Sequence, residues 1–76
     1  MADYPFISNY AREKMHKLQL SEEIVIDAYW QGIHKRMPSG RDAMIRYYAS
    51  QGFEVGVTYI QDQTTGRYVI TSVWKN

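Results

Sequence analysis

Apolar residues recur at helical intervals near the start of the chain and at strand intervals after residue 43, with a break between the two patterns. Ile7, Ala11, Met15 and Leu18 form one stripe at spacings of four, four and three. That spacing predicts a first helix, capped by Ser8 or Asn9 and running to about Gln19. Ser21 then offers a second cap, and Glu22 and Glu23 fall in the first turn, where carboxylates complement the helix dipole. Ile24, Val25, Ala28 and Tyr29 make the second stripe, and Gly32 is a C-terminal stop. Two helices of about three turns each are expected to form a helical hairpin.

His34 to Met37 reads as a short strand or an extended link, and Pro38-Ser39-Gly40 as a turn. Alternation follows: Ala43, Ile45, Tyr47 and Ala49 on one side, Met44, Arg46 and Tyr48 on the other. After Ser50-Gln51-Gly52, Phe53, Val55, Val57 and Tyr59 alternate with Glu54, Gly56 and Thr58. Thr64-Thr65-Gly66 turns the chain into Tyr68 to Trp74, which is polar on neither face and so reads as a central or doubly covered strand. The prediction is an α+β domain: two N-terminal helices on one face of a three- to four-stranded antiparallel sheet. Met15, Leu18, Ile24, Ala28, Ile45, Val55 and Val57 should meet in its core. The other face should show Arg46, Tyr48, Glu54 and Thr58.

The chain has 76 residues, enough for one domain over residues 1–76 and too few for a barrel or a full dinucleotide-binding fold. It has no cysteine, which removes disulfides, thiolate metal sites and a cysteine nucleophile, and fits a reducing compartment. A small core without staples favours oligomerisation or a tight partner. Met1 to Phe6 carries Asp3 and Pro5 and lacks a basic segment followed by an apolar one, so no secretory leader is expected and a cytoplasmic soluble protein is. No apolar run approaches a membrane span.

The net charge of +1 hides segregation. Arg12, Lys14 and Lys17 cluster on the first helix, while Glu22, Glu23 and Asp27 stand on the second without a base. Residues 33–50 hold Lys35, Arg36, Arg41 and Arg46 against Asp42, with His34 beside them. A basic face and an ordinary mixed surface are both compatible with this. The acidic helix should lie at the surface and repel nucleic acid.

His16 and His34 are not at helical ligand spacing and no carboxylate cluster joins them, so neither metal nor cofactor is expected. His16 reads as a solvated surface residue or, more sharply, as a proton donor or phosphate contact. Arg46 and Tyr48 share a strand face; if that face is open, a guanidinium and a phenol point at one pocket. Tyr68 and Trp74 are core aromatics or base-stacking platforms.

Three runs carry a resemblance: Ile7-Ser8-Asn9-Tyr10-Ala11-Arg12-Glu13-Lys14-Met15, Leu20-Ser21-Glu22-Glu23-Ile24-Val25, and Gly66-Arg67-Tyr68-Val69-Ile70-Thr71-Ser72-Val73-Trp74. Together they resemble a small uncharacterised branch of the RelE/ParE-like toxin superfamily, over roughly residues 6–32 and 53–75. The resemblance implies two helices packed on a twisted antiparallel sheet. For many relatives it also implies metal-independent ribonuclease activity within a toxin–antitoxin pair. Where the family helix usually begins with His, this chain has Tyr10; if that His does chemistry, Tyr10 must replace it as acid or phosphate contact, or the activity is lost, while Arg12 on the same helix survives. Some branches inhibit gyrase or lack nuclease activity, so the reaction does not follow from the fold.

Two functions are therefore expected. In the first, an RNA-cleaving toxin-like domain, the ribose 2′-hydroxyl attacks the adjacent phosphate. Arg46 and Arg12 stabilise the negative charge, Tyr48, His16 or Tyr10 move protons, and Thr71, Arg67 and Trp74 contact substrate. RNA and an antitoxin-like protein are the partners. In the second, the fold is a non-catalytic protein-binding or homo-oligomeric accessory module that works through the open sheet face.

Overall fold

Two serines start the two helices. In the computed structural model, which describes residues 4–76, Ser8 Oγ accepts from the Ala11 amide at 3.2 Å and Ser21 Oγ accepts from the Ile24 amide at 3.2 Å. Each hydroxyl satisfies one of the orphan donors of a helix N-terminus. Asp3, which entered the leader reading, lies outside the described residues. The elements are β1 (Phe6–Ile7), α1 (Asn9–Leu18), α2 (Glu22–Gln31), β2 (Ile33–Arg36), β3 (Asp42–Tyr48), β4 (Phe53–Gln61) and β5 (Tyr68–Lys75).

Gln19 closes α1 in the left-handed region (φ 57°), and the Leu20 amide returns to the Met15 carbonyl at 2.9 Å. Gly32 closes α2 at φ −73°, so left-handed freedom is not its reason. A Cβ there would stand 2.9 Å from the Ile45 amide nitrogen, and the missing side chain lets the helix end press onto the sheet.

The architecture is α+β, but the sheet has five strands and is mixed, in the order β1-β5-β4-β3-β2. This corrects the expected three- to four-stranded antiparallel sheet. The added strand is β1, which runs parallel to β5 with Ile7 opposite Ile70. Two residues carry no readable period. Their pairing is fixed by the burial of Ile7 and by the Ser8 amide donating to the Ile70 carbonyl at 3.0 Å. β2 begins one residue earlier than expected, and the Met37 amide then closes the Pro38-Ser39-Gly40 turn on the Arg41 carbonyl at 2.8 Å.

Both helices pack on one sheet face, α1 over β5 and α2 over β3 and β4, so each rests on its own strands. Met15, Ala28, Val55 and Val57 are buried together as expected, with Leu18 and Ile24 half-buried against them. Ile45 is not among them. Val55 and Val57 belong to this core, and their cross-strand partners are Arg46 and Met44. Paired residues of antiparallel strands share a face. Met44, Arg46 and Tyr48 therefore turn toward α2, while Ala43, Ile45 and Tyr47 turn away with Thr58, Gly56 and Glu54. The expected outward placement of Arg46 and Tyr48 is corrected; that of Glu54 and Thr58 holds. β3 carries apolar bulk on both sides, so hydrophobicity alone does not choose its face. The choice is made by α2, which supplies a carboxylate for Arg46.

β5 is interior, between β1 and β4. A register shift between Thr58 and Tyr59 leaves Thr71 without a paired residue, a β-bulge beside Thr58. Thr58 and Thr71 bond through their hydroxyls at 2.9 Å.

Candidate functional site

The residues singled out for phosphate chemistry fall in separate places. Arg46, in the middle of β3, donates from Nη1 to Asp27 Oδ2 on α2. The Tyr48 hydroxyl lies 2.8 Å from the same carboxylate oxygen and 3.2 Å from the Ile24 carbonyl, and the Arg46 guanidinium stands 5.1 Å from the Tyr48 ring centre. Burial, and then the bond to Asp27, pushes the Tyr48 phenol up to about 12. A phenol in that state is a weak acid at neutral pH, and its proton is directed at Asp27. Asp27 is half-buried rather than fully at the surface, unlike Glu22 and Glu23. This cluster joins helix to sheet.

Arg12 forms an exposed ion pair with Glu22 at 3.1 Å. Both arginines expected to stabilise a phosphate are thus bound to carboxylates of α2. His16 is exposed near the C-terminal end of α1, and Arg67 is exposed in the turn between β4 and β5. Trp74 is half-buried on the sheet face away from the helices, over Gly56.

Tyr10 and Thr71 do meet. With Arg41, Thr58, Ile60 and Ser72 they line a shallow groove where the open sheet face passes the start of α1. Arg41 is exposed and makes no ion pair within 4 Å among the described residues. Charge counting along the sequence included Arg41, but nothing in its spacing linked it to Tyr10 or Thr71. The bulge and the parallel β1 create that proximity.

A second concavity lies on the helix side, between Tyr29, Trp30, Met44, Tyr59 and Tyr68. Its rings meet edge to face, Tyr29 with Trp30 at 5.0 Å and with Tyr59 at 5.6 Å. Burial raises the phenols of Tyr29 and Tyr59 above their ordinary value. Next to it, Asp42 accepts from Arg36 Nε at 3.1 Å and faces His34 Nε2 at 3.0 Å. The His34 bond holds the Asp42 carboxyl below its usual range; burial opposes it, and the Arg36 charge adds a smaller effect in the same direction as His34. Among the described residues, no three His, Asp or Glu side chains gather as a metal-binding group. Nor is any helix there long and apolar enough to cross a membrane.

The broadest feature is the open sheet face. It presents Ile33 and Lys35 from β2, Ile45 and Tyr47 from β3, Glu54 and Ile60 from β4, and Val69 and Trp74 from β5. Ile33 is 79% exposed, Tyr47 62% and Ile60 45%. No described element covers this face. Trp30 and Tyr68 are exposed on the helix side as well, so exposed apolar side chains occur on both faces, with the most exposed, Ile33 and Tyr47, on the open one.

No family model, curated protein or solved structure matches this chain.

Proposed function

We propose that the chain is a non-catalytic protein-binding module on a RelE/ParE-like fold, and that the open sheet face is its docking surface. One observation carries the reading. The bare apolar face is contiguous across β2 to β5, whereas the residues required for RNA cleavage are divided among separate sites. An anionic transition state at Arg12 would have to displace Glu22, and one at Arg46 would have to displace Asp27, which shares a concavity with Glu23. An antitoxin-like protein or another copy of the chain fits the face without that conflict. The residue order of the N-terminal half supports the toxin-like placement, with two capped helices laid on one side of the sheet.

A second reading has its own support. The groove of Tyr10, Arg41 and Thr71 combines a free guanidinium, a phenol and hydroxyls, the donors that an RNA phosphate takes. In that reading the cleaving or binding residues are these three, and Arg46 is structural.

The test is site-specific photo-crosslinking in cells, with a benzophenone amino acid in place of Tyr47 on the open face or Trp30 on the helix side. Protein adducts from position 47 and none from position 30 are the expected result. Adducts from position 47 that ribonuclease digests would replace this reading with RNA binding, and the absence of any protein adduct there would refute it.

A further inference from the structure

Ile45 occupies the centre of a self-complementary pattern. Across the open face it is level with Ile33 on β2 and with Gly56 on β4. Lys35 is level with Ala43, two residues toward one end of β3, and Glu54 with Tyr47, two residues toward the other. A cation and an anion therefore stand at opposite ends of a diagonal, ~16 Å apart by strand spacing and rise, with Ile45 midway. Neither has an oppositely charged partner within 4 Å among the described residues.

A half-turn about an axis lying in the plane of the face, through Ile45 and across that diagonal, exchanges the two ends. It sets Lys35 of each copy against Glu54 of the other and Ile45 against itself. We propose that the occupant of the open face is a second copy of this chain, related by that two-fold axis. This proposal rests on the open-face reading above and names its partner.

Three further features favour a face-to-face pair. A two-fold interface must be complementary to itself, and this face has an apolar centre flanked at matched distances by Lys35 and Glu54, with Arg41 further out in the groove beside Thr58 and Ile60. A standard interface buries about 800 Å² per partner, roughly one-seventh of the 5274 Å² accessible here, which one face of a two-layer domain can supply. The sheet edges are unsuited to pairing: β2 displays His34, Lys35 and Arg36, and β1 has only two residues.

The experiment uses the purified full chain in sedimentation equilibrium over a concentration series. A dimer is expected. Lys35→Glu and Glu54→Lys, each acting twice per dimer, should each weaken it about tenfold or more, and the combined exchange should restore it. Since the chain has no cysteine, Ile45→Cys introduces one thiol, and a short bis-maleimide should link two such chains. Thr64→Cys, at the exposed turn before β5, should not be linked.

A monomer at every concentration overturns the self-pairing. If position 47 still crosslinks to a different protein in cells, the open-face reading survives that failure; if it crosslinks to none, both fall. A dimer unaffected by either charge reversal, with Thr64→Cys linked as well as Ile45→Cys, also overturns the proposal, because the contact then lies elsewhere.

Discussion

The Trp74 indole lies over Gly56, with its six-membered ring in the space where a Cβ on residue 56 would project. The two residues are cross-strand partners on β4 and β5, so the ring covers the one open-face position that has no side chain. Gly56 needs no left-handed backbone; what it provides is room. Gly56→Ala should destabilise the fold by about 1–3 kcal/mol, the usual cost of overpacking. In a Trp74→Leu background the same change should cost much less. Urea midpoints of the four proteins give the coupling, and additive effects would show that the ring moves aside freely.

The two faces of the sheet differ sharply in what they contribute to stability. Val57 is fully buried against the helices, so Val57→Ala should cost about 2 kcal/mol. Ile45 faces away, and Ile45→Ala should cost less than about 1 kcal/mol in the monomer, as for a surface position. Measurement at concentrations low enough to exclude self-association separates the two. Equal losses would mean that the register of β3 is wrong by one residue.

The legible parts of the fold were those set by neighbours in sequence. Ser8 and Ser21 lie next to the helices they cap, and Glu22 and Glu23 fall in the first turn they were assigned. Val55 and Val57 stand alone as the apolar side of their strand, so their direction could be read. β3 could not be oriented from its own residues, because Met44 and Tyr48 rival Ile45 and Tyr47 in bulk. What turns Arg46 inward is Asp27, 19 residues away. The same limit applies to the candidate site. Tyr10, Arg41 and Thr71 come from α1, the turn before β3 and β5, and a bulge and a two-residue parallel strand bring them together, neither of which has a sequence period.

Arg46 joins α2 to β3, so its removal should be felt in stability. The pair with Asp27 is partly exposed, with side-chain exposures of 40% and 39%, which limits its worth to about 1 kcal/mol even with the stacking on Tyr48. Arg46→Ala should lower stability by about that amount, and much of the loss should disappear when Asp27 is already Asn. Denaturation of the double-mutant cycle measures it. An unchanged stability in Arg46→Ala, combined with its loss of an RNA cleavage that the wild-type chain performs, would instead mark Arg46 as a catalytic residue.

Tyr48 should make the fold sensitive to alkali. Its phenol titrates near 12 in the folded chain, against an ordinary value of 10.0, chiefly because burial disfavours the phenolate and Asp27 accepts its proton. A folded value raised above the unfolded one contributes stability that is complete below about pH 10 and is lost as pH rises through 12. Tyr48→Phe should therefore be less stable than wild type at neutral pH, having lost the bond to Asp27, and the difference should shrink as pH climbs from 10 to 12. Tyr29 and Tyr59 are raised too, but they are present in both proteins and cancel in the comparison. Urea unfolding of both chains across that range, with tyrosinate absorbance followed in parallel, provides the measurement. A stability difference that stays constant up to pH 12 would show that Tyr48 does not hold its proton against Asp27, and the junction of α2 with β3 would then depend on Arg46 alone.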